Sequence, residues 1–400
     1  MPPLAKAVFV VAAKRTAFGT FGGALKDVHA PTLGAVAARG ALATLGGDSA
    51  AHAVDQVVFG NVAQSTTDCM YLARHVGLKA GVPLERPMLT VNRLCGSGFE
   101  ALVQASQLVQ LGEADVVLAG GAESMSTSPY TVHGTRWGSP LGVDLKMVDA
   151  LWEGLTDQHV RCTMSMTAEN LAEKYKVSKE QADKWAAESQ ARYAKAAAAG
   201  IFKNEIVGFP VKTKKGEVVF EADEHPRPGT TYETLAKLKP LFKKDGVVSA
   251  GNASGICDGA AALIVASEAA VKKHGWKPLA RVEAYASVGV PPEIMGFGPV
   301  PAFKLALKKA GLSLQDMDLV EVNEAFAAQF VVCMNELGLD PAKTNVNGGA
   351  VAMGHPTGAS GARIMGHLAH ELQRRKLKYA IGGACIGGGQ GIAVILKSPQ

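Results

Sequence analysis

Two thiols and an imidazole stand where this chain turns on glycine or proline, and an amide stands at the end of a strand. Cys95 lies in "NRLCGSGF" (92–99), just before an apolar helical run. Unpaired N–H groups at a helix start favour an anion, so the position predicts a nucleophilic thiolate with a depressed pKa. His355 lies in "GHPTGASG" (354–361), ahead of a proline at a second helix start, where it could serve as the base that takes the thiol proton. Cys385 lies in "ACIGGGQG" (384–391), at a strand end before three glycines. It offers a second acid/base, and the N–H of Gly387 offers a donor to an oxyanion. Asn323, in "NEAFA" (323–327), can hold a water or an oxygen by its amide. Each segment also has a plainer reading: a structural thiol, a loop histidine, a hairpin, a helix cap.

The surrounding elements repeat. "AVFVVAA" (7–13) reads as a strand and 32–45 as a helix. "DQVVFGNV" (55–62) reads as a strand, the run after Cys95 as a helix, and "ADVVLAGG" (114–121) as a strand again. The last third follows the same plan. "LARVEAYASVG" (279–289) precedes a helix at 301–311, and "MDLVEVNEAFA" matches "VDQVVFGNVAQ". "TNVNGGAVAMGHPTGASGARIMGHLAHEL" matches "LTVNRLCGSGFEALVQASQLV", and strands surround the final glycine turn. This α/β pattern implies a largely parallel, covered sheet in each half, and a duplication about a pseudo-two-fold axis. Small residues at 98, 101 and 105, facing Gly358, Gly361 and Ala362, allow the two glycine-led helices to approach closely. Residues 121–248 break the repeat. They are richer in charge, contain a helix at 167–199 and a β-like piece at 205–221, and read as an inserted domain that covers a pocket or binds a ligand.

The 400 residues, about half of them apolar, suffice for a large core. Forty-one basic and 36 acidic residues leave a net charge of +5. That small, dispersed excess argues against nucleic acid and suits a small anionic ligand. The six cysteines form no CxxC pair and no zinc spacing, so no metal site is expected; Cys69, Cys162, Cys257 and Cys333 read as packing residues in an intracellular protein. No run of 18 apolar residues exists, so nothing is expected to span a membrane. The start, "MPPLAKAVFVVAAKRTAFGTFGG", has no acid before Asp27 and fits an organelle-targeting segment as well as a buried strand. Both readings hold if the segment is never removed.

Together the four segments resemble the thiolases, from "VVAAKRTAFGTFGG" to "GGGQGIAVIL". "DALWEGLTDQHV" (149–160), "KTKKG" and "GNASG" (251–255) look most like the mitochondrial-type 3-ketoacyl-CoA class, with acetoacetyl-CoA thiolases as the alternative. The resemblance implies the thiolase fold, a duplicated five-layered αβαβα core with an inserted loop domain. It implies a first domain over 1–270, with 121–248 inserted, and a second over 271–400. The activity it implies is that of an acetyl-CoA C-acyltransferase of fatty acid β-oxidation: CoA cleaves a 3-ketoacyl-CoA to acetyl-CoA and a shortened acyl-CoA. Cys95 is then the acylated nucleophile, His355 its activator and Cys385 the second acid/base. Asn323, through a water, and His355 form one oxyanion hole; the N–H groups of Cys95 and Gly387 form the other. Arg227 and Thr230 meet the nucleotide end of CoA, and Ser254 meets the pantetheine. Read from their types alone, the lysines of "KLKPLFKKDG" (237–246) could raise the potential for CoA phosphates or form a solvated face, and Met164 and Met166 could line the acyl channel or fill the core. No cofactor is required, CoA being a substrate. A homo-oligomer, dimer or tetramer, is implied, in the mitochondrion, with the cytosol as alternative. Two non-thiolytic readings remain: an acyl-CoA or lipid carrier, and a redox sensor closing a Cys95–Cys385 disulfide.

Overall fold

The computed structural model describes residues 6–213 and 216–399; Lys214 and Lys215 of "KTKKG" lie outside them. Five strands build the first half: β1 (Val8–Thr16), β2 (Gln56–Gly60), β3 (Met88–Val91), β4 (Val116–Ser124) and β5 (Cys257–Ser267). Four build the second: β6 (Ala280–Gly289), β7 (Leu319–Val322), β8 (Tyr379–Ile386) and β9 (Gln390–Lys397). The hydrogen-bonded order is β7-β8-β9-β6-β1-β5-β4-β2-β3. Thr344 adds a parallel bridge to Val320 on the outer side of β7, where β3 flanks β2 in the first half. Numbered along the chain within each half, both halves therefore read 3-2-4-5-1. The shared order, with the same directions at matching neighbours, is what a duplication requires.

The sheets are not largely parallel. Among these nine strands, β2 with β3, β2 with β4, and β7 with β8 run parallel. β4 with β5, β5 with β1, β8 with β9 and β9 with β6 are antiparallel. Two connections explain the reversal. β8 returns into β9 through a tight turn at Gly387–Gly389, and β5 enters only after the long insertion. The halves join where β1 meets β6, with Phe9 opposite Arg281 and Val10 opposite Ala280.

Helices α1 (Ala30–Ala43) and α2 (Leu72–Lys79) cover the outer face of the first half, burying Leu33, Leu42, Leu72 and Val76 against Phe59, Leu118 and Ile264. Between the sheets lie α3 (Ser97–Leu111) and, from the second half, the helix Thr357–Arg375, here α8. Their Phe99, Leu102, Ile364 and Leu368 share one core with Val117, Leu263, Ile392 and Val394. α6 (Pro299–Ala310) and α7 (Ala327–Leu337) cover the far face, with Phe303 and Phe330 buried against Ala393 and Ile395. The five layers are thus αβαβα. The central pair touches backbone to backbone: a Cβ on Gly98 would lie 2.5 Å from the Ala362 nitrogen, and one on Gly361 would lie 2.2 Å from that of Phe99. Only glycine permits this approach.

β4 runs to Ser124 and β5 starts at Cys257, so the insertion occupies 125–256 rather than starting at 121. Its expected single helix is two, α4 (Met164–Tyr175) and α5 (Lys179–Ala198). Lys176 turns left-handed at φ 57°, and Ser178 caps the second helix with Gln181 in a reciprocal box. Among the described residues no helix is long and apolar enough to cross a membrane.

Candidate active site

The turn from β3 into α3 carries Cys95. Leu94 is held left-handed at φ 47°, a conformation costly for a side-chain residue. Neighbours fix it: the Leu94 N–H donates to Asn92 Oδ1 (2.9 Å), the Arg93 N–H to Ser97 Oγ (2.9 Å), and Ser97 Oγ to the Leu94 carbonyl (2.7 Å). Arg93 ties the turn to both halves, pairing with Glu100 at 2.8 Å and donating to Gln390 Oε1 at 3.0 Å. The bend lifts Cys95 off the helix into a cavity of about 270 Å³ that it shares with His355.

His355 stands on a loop of comparable tightness. Gly354 has φ 95°, and a Cβ there would fall 2.1 Å from Cys257 Sγ. The His355 N–H donates to the Gly255 carbonyl (2.9 Å). Its ring is fixed at both nitrogens. Ser360 Oγ lies 2.6 Å from Nδ1 and gives its own proton to the Pro356 carbonyl (3.1 Å), so it accepts from Nδ1–H. Nε2 then keeps its lone pair, and Asn323 Nδ2 donates to it at 3.3 Å. Asn323 Oδ1 is buried and without a partner among the described residues.

Electrostatics correct one expectation. Cys95 is not a preformed thiolate: burial pushes its thiol up to about 11, against the pull of the Gly387 N–H and its own N–H, with the charge of Glu123 adding to the rise. Dipole stabilisation is outweighed because the sulfur has lost its water. Burial, then the charge of Arg363, drives His355 down to about 4, so its imidazole is neutral at ordinary pH. Cys385 is fully buried beside Met295 and Ala325, behind the cavity wall. Burial first, then the charge of Cys95, holds its thiol well above the usual range. The resting site is two thiols and a neutral imidazole.

The structure thus brings Cys95, His355, Asn323, Cys385 and Gly387 to one place. Ser254 lines the same cavity. Arg227 and Thr230 do not line it; they share an exposed turn, where Thr230 Oγ1 donates to the Arg227 carbonyl at 2.7 Å and the Arg227 N–H donates to Gln190 Oε1 at 3.0 Å. Met164 is on the cavity wall, but Met166 is not. Leu241 and Phe242 are, which sets the lysines of 237–246 at its rim. Trp152, Leu155 and Phe326 make the remaining wall strongly apolar. Sequence reasoning missed Ser360 and Glu123. The signal for Ser360 was a hydroxyl just inside the helix that follows the histidine. For Glu123 it was one acid in the otherwise apolar strand "VVLAGGAES".

The model of the thiolase N-terminal domain matches residues 8–269, and that of the C-terminal domain matches 276–398. The human mitochondrial 3-ketoacyl-CoA thiolase is 59% identical over 395 residues, covering 99% of each chain. An acetyl-CoA acetyltransferase of Pseudomonas aeruginosa is 48% identical over 394 residues, covering 97% of this chain and 98% of its own. The crystal structure of the human mitochondrial enzyme in complex with CoA superposes with a TM-score of 0.96 at 57% identity, covering 100% of this chain and 99% of that one. With this fold, these two domains and a cavity joining Cys95 to His355, the chain belongs to the thiolase family.

Proposed function

We propose that the protein is a 3-ketoacyl-CoA thiolase, an acetyl-CoA C-acyltransferase of fatty acid β-oxidation. One observation carries the chemistry: Cys95 opens into the same apolar cavity as His355, whose Nε2 lone pair is free of a proton, while the Gly387 N–H meets the Cys95 sulfur. His355 takes the thiol proton as Cys95 sulfur adds to C3 of the 3-ketoacyl-CoA, and the carbonyl becomes an alkoxide. The alkoxide collapses, C2–C3 breaks, and its electron pair becomes the enolate of acetyl-CoA. Cys385, a thiol at rest, supplies the proton to C2. Its thiolate then takes the proton of incoming CoA, whose sulfur attacks the acyl carbonyl. Cys95 leaves and regains its proton from His355.

Two oxyanions arise in different places, so two donor sets are needed. The N–H groups of Cys95 and Gly387 serve one. The imidazolium of His355, with a water held by the free Oδ1 of Asn323, serves the other. CoA is a substrate, not a cofactor. Ser254 contacts its pantetheine, and Arg227 and Thr230, on the exposed turn, meet its nucleotide end. The greater similarity to the 3-ketoacyl-CoA thiolase than to the acetyltransferase supports the subclass.

Incubation with 3-ketooctanoyl-CoA without free CoA tests this reading. Peptide mass analysis should find a hexanoyl group on Cys95 and one acetyl-CoA released. No adduct and no acetyl-CoA would sink it. Cleavage of acetoacetyl-CoA alone, with longer substrates untouched, would move the protein to the acetyltransferases.

The seam at β1 and β6 supports a division near residue 270, with 1–270 and 271–400 as the two domains. The named relatives support a mitochondrial location. Val8–Thr16 is a core strand, so an address within it would have to be read without removal. A homo-oligomer is supported by exposed apolar side chains on the hairpin that pairs Tyr130–Val132 with Met147–Asp149 and on its connecting loop, Trp137, Leu141 and Met147 among them, and by Leu89 on the edge strand β3. Light scattering should give a mass of at least two chains; a monomer at micromolar concentration would refute it.

A further inference from the structure

Glu123 is a fully buried carboxylate with no role in the reaction just described. Five donors surround it. Oε1 accepts from Asn61 Nδ2 and the Ala63 N–H, both at 3.0 Å. Oε2 accepts from the Val62 N–H (3.1 Å), Thr357 Oγ1 (2.9 Å) and the Gly358 N–H (2.9 Å).

These donors come from two halves of the fold. Asn61, Val62 and Ala63 follow β2 in the first half. Thr357 and Gly358 begin α8 in the second, two and three residues after His355. The helix start has no slack there. A Cβ on Gly121 would fall 1.8 Å from the Gly358 carbonyl, and one on Gly358 would meet the Ala122 carbonyl and Glu123 Oε2, each at 2.9 Å. The backbone thus lies flat on β4, with the carboxylate as its polar fastening. Every partner is neutral and donates, and α8 presents its N-terminus, so the ring of donors suits an anion. A proton on either oxygen would displace a donor. Burial opposes the charge and raises the carboxyl to about 7, so the surroundings hold the anion only narrowly.

The same charge reaches Cys95, where it opposes the thiolate. The titratable groups facing Cys95 are Glu123 and Cys385, by charge, and His355 across the shared cavity.

We propose that Glu123 is a positioning residue that fastens the His355-bearing start of α8 to the first half of the fold, and so sets the imidazole against Cys95. The role rests on the thiolase reading above. Two opposite effects follow from Glu123→Gln, which removes the charge and turns an amide donor toward donors. Thiolysis should slow, with kcat down roughly 10–100-fold and KM changed less than about threefold, because orientation is lost rather than CoA contact. Alkylation of Cys95 by iodoacetamide should speed up at fixed pH, its midpoint moving down the pH scale, because a nearby negative charge is gone. A merely structural residue would not separate the two readouts in this way.

Wild-type kcat together with an unmoved alkylation midpoint in folded Glu123→Gln would overturn the proposal. So would a slower alkylation. If that variant does not fold, Thr357→Val decides: it removes one of the five donors, and kcat should fall about 3–10-fold. Wild-type kcat there would overturn the fastening role. An inactive wild-type protein would instead refute the thiolase reading, and the alkylation midpoint would still report on Glu123.

Discussion

Cys95→Ser should lose thiolysis by roughly 10⁴-fold or more while keeping its fold. Serine is close to cysteine in volume and can sit on the same left-handed turn at Leu94, so packing changes little. The chemistry changes a great deal. A neutral imidazole held near 4 is a weak base. It can relieve a polarisable thiol as the new bond forms, but a hydroxyl holds its proton too tightly. The oxyester that would result is also a poorer acyl donor to CoA than a thioester. Steady-state thiolysis and acyl labelling should vanish together, with an unchanged thermal midpoint and retained CoA binding. Activity within tenfold of wild type would remove Cys95 from the role of nucleophile.

The second large effect belongs to His355, and pH is its signature. In the wild-type enzyme the imidazole is neutral above about 4 and the Cys95 thiol is intact below about 11. The competent pair is therefore neutral throughout that window and gives kcat/KM no step at neutral pH, so a step near pH 7 belongs to the Glu123 carboxyl. Below about 4 the imidazole is occupied by a proton, and the rate should fall. In His355→Ala the thiol must ionise unaided. At pH 7 a thiol of pKa about 11 is ionised to about one part in 10⁴, and that fraction grows tenfold per pH unit. The variant should be roughly 10²–10⁴-fold slower at pH 7 and should gain rate steadily toward pH 10. A flat profile in His355→Ala would mean that some other group takes the proton.

Much of this site was legible because duplication leaves a textual trace. The paired "VN" segments and glycine-led helices foretold two matching halves, and both do fold with strand order 3-2-4-5-1. The glycines at 98 and 361 foretold the close central helices. What stayed hidden depended on burial or on distant partners. Cys95 stands beside a helix start, which favours a thiolate, but a sequence does not say how much water a sulfur loses. The break at Lys176 needed the Ser178–Gln181 cap to be weighed against an unbroken helical pattern. Strand direction in β5 depended on where the chain returns after an insertion. Glu123 could be noticed as a lone acid, but its donors come from residues 61–63 and 357–358, which only the fold brings together.

The place of β1 has a consequence for how the chain is made. Its nine residues lie far ahead, along the chain, of its main ladder partners, β5 and β6, at 257–267 and 280–289. Long-range pairing of this kind closes late. Until β5 has been synthesised, β1 lacks its main ladder partner and has no settled place in the sheet. The strand that joins the two halves is therefore among the last to be locked into the sheet.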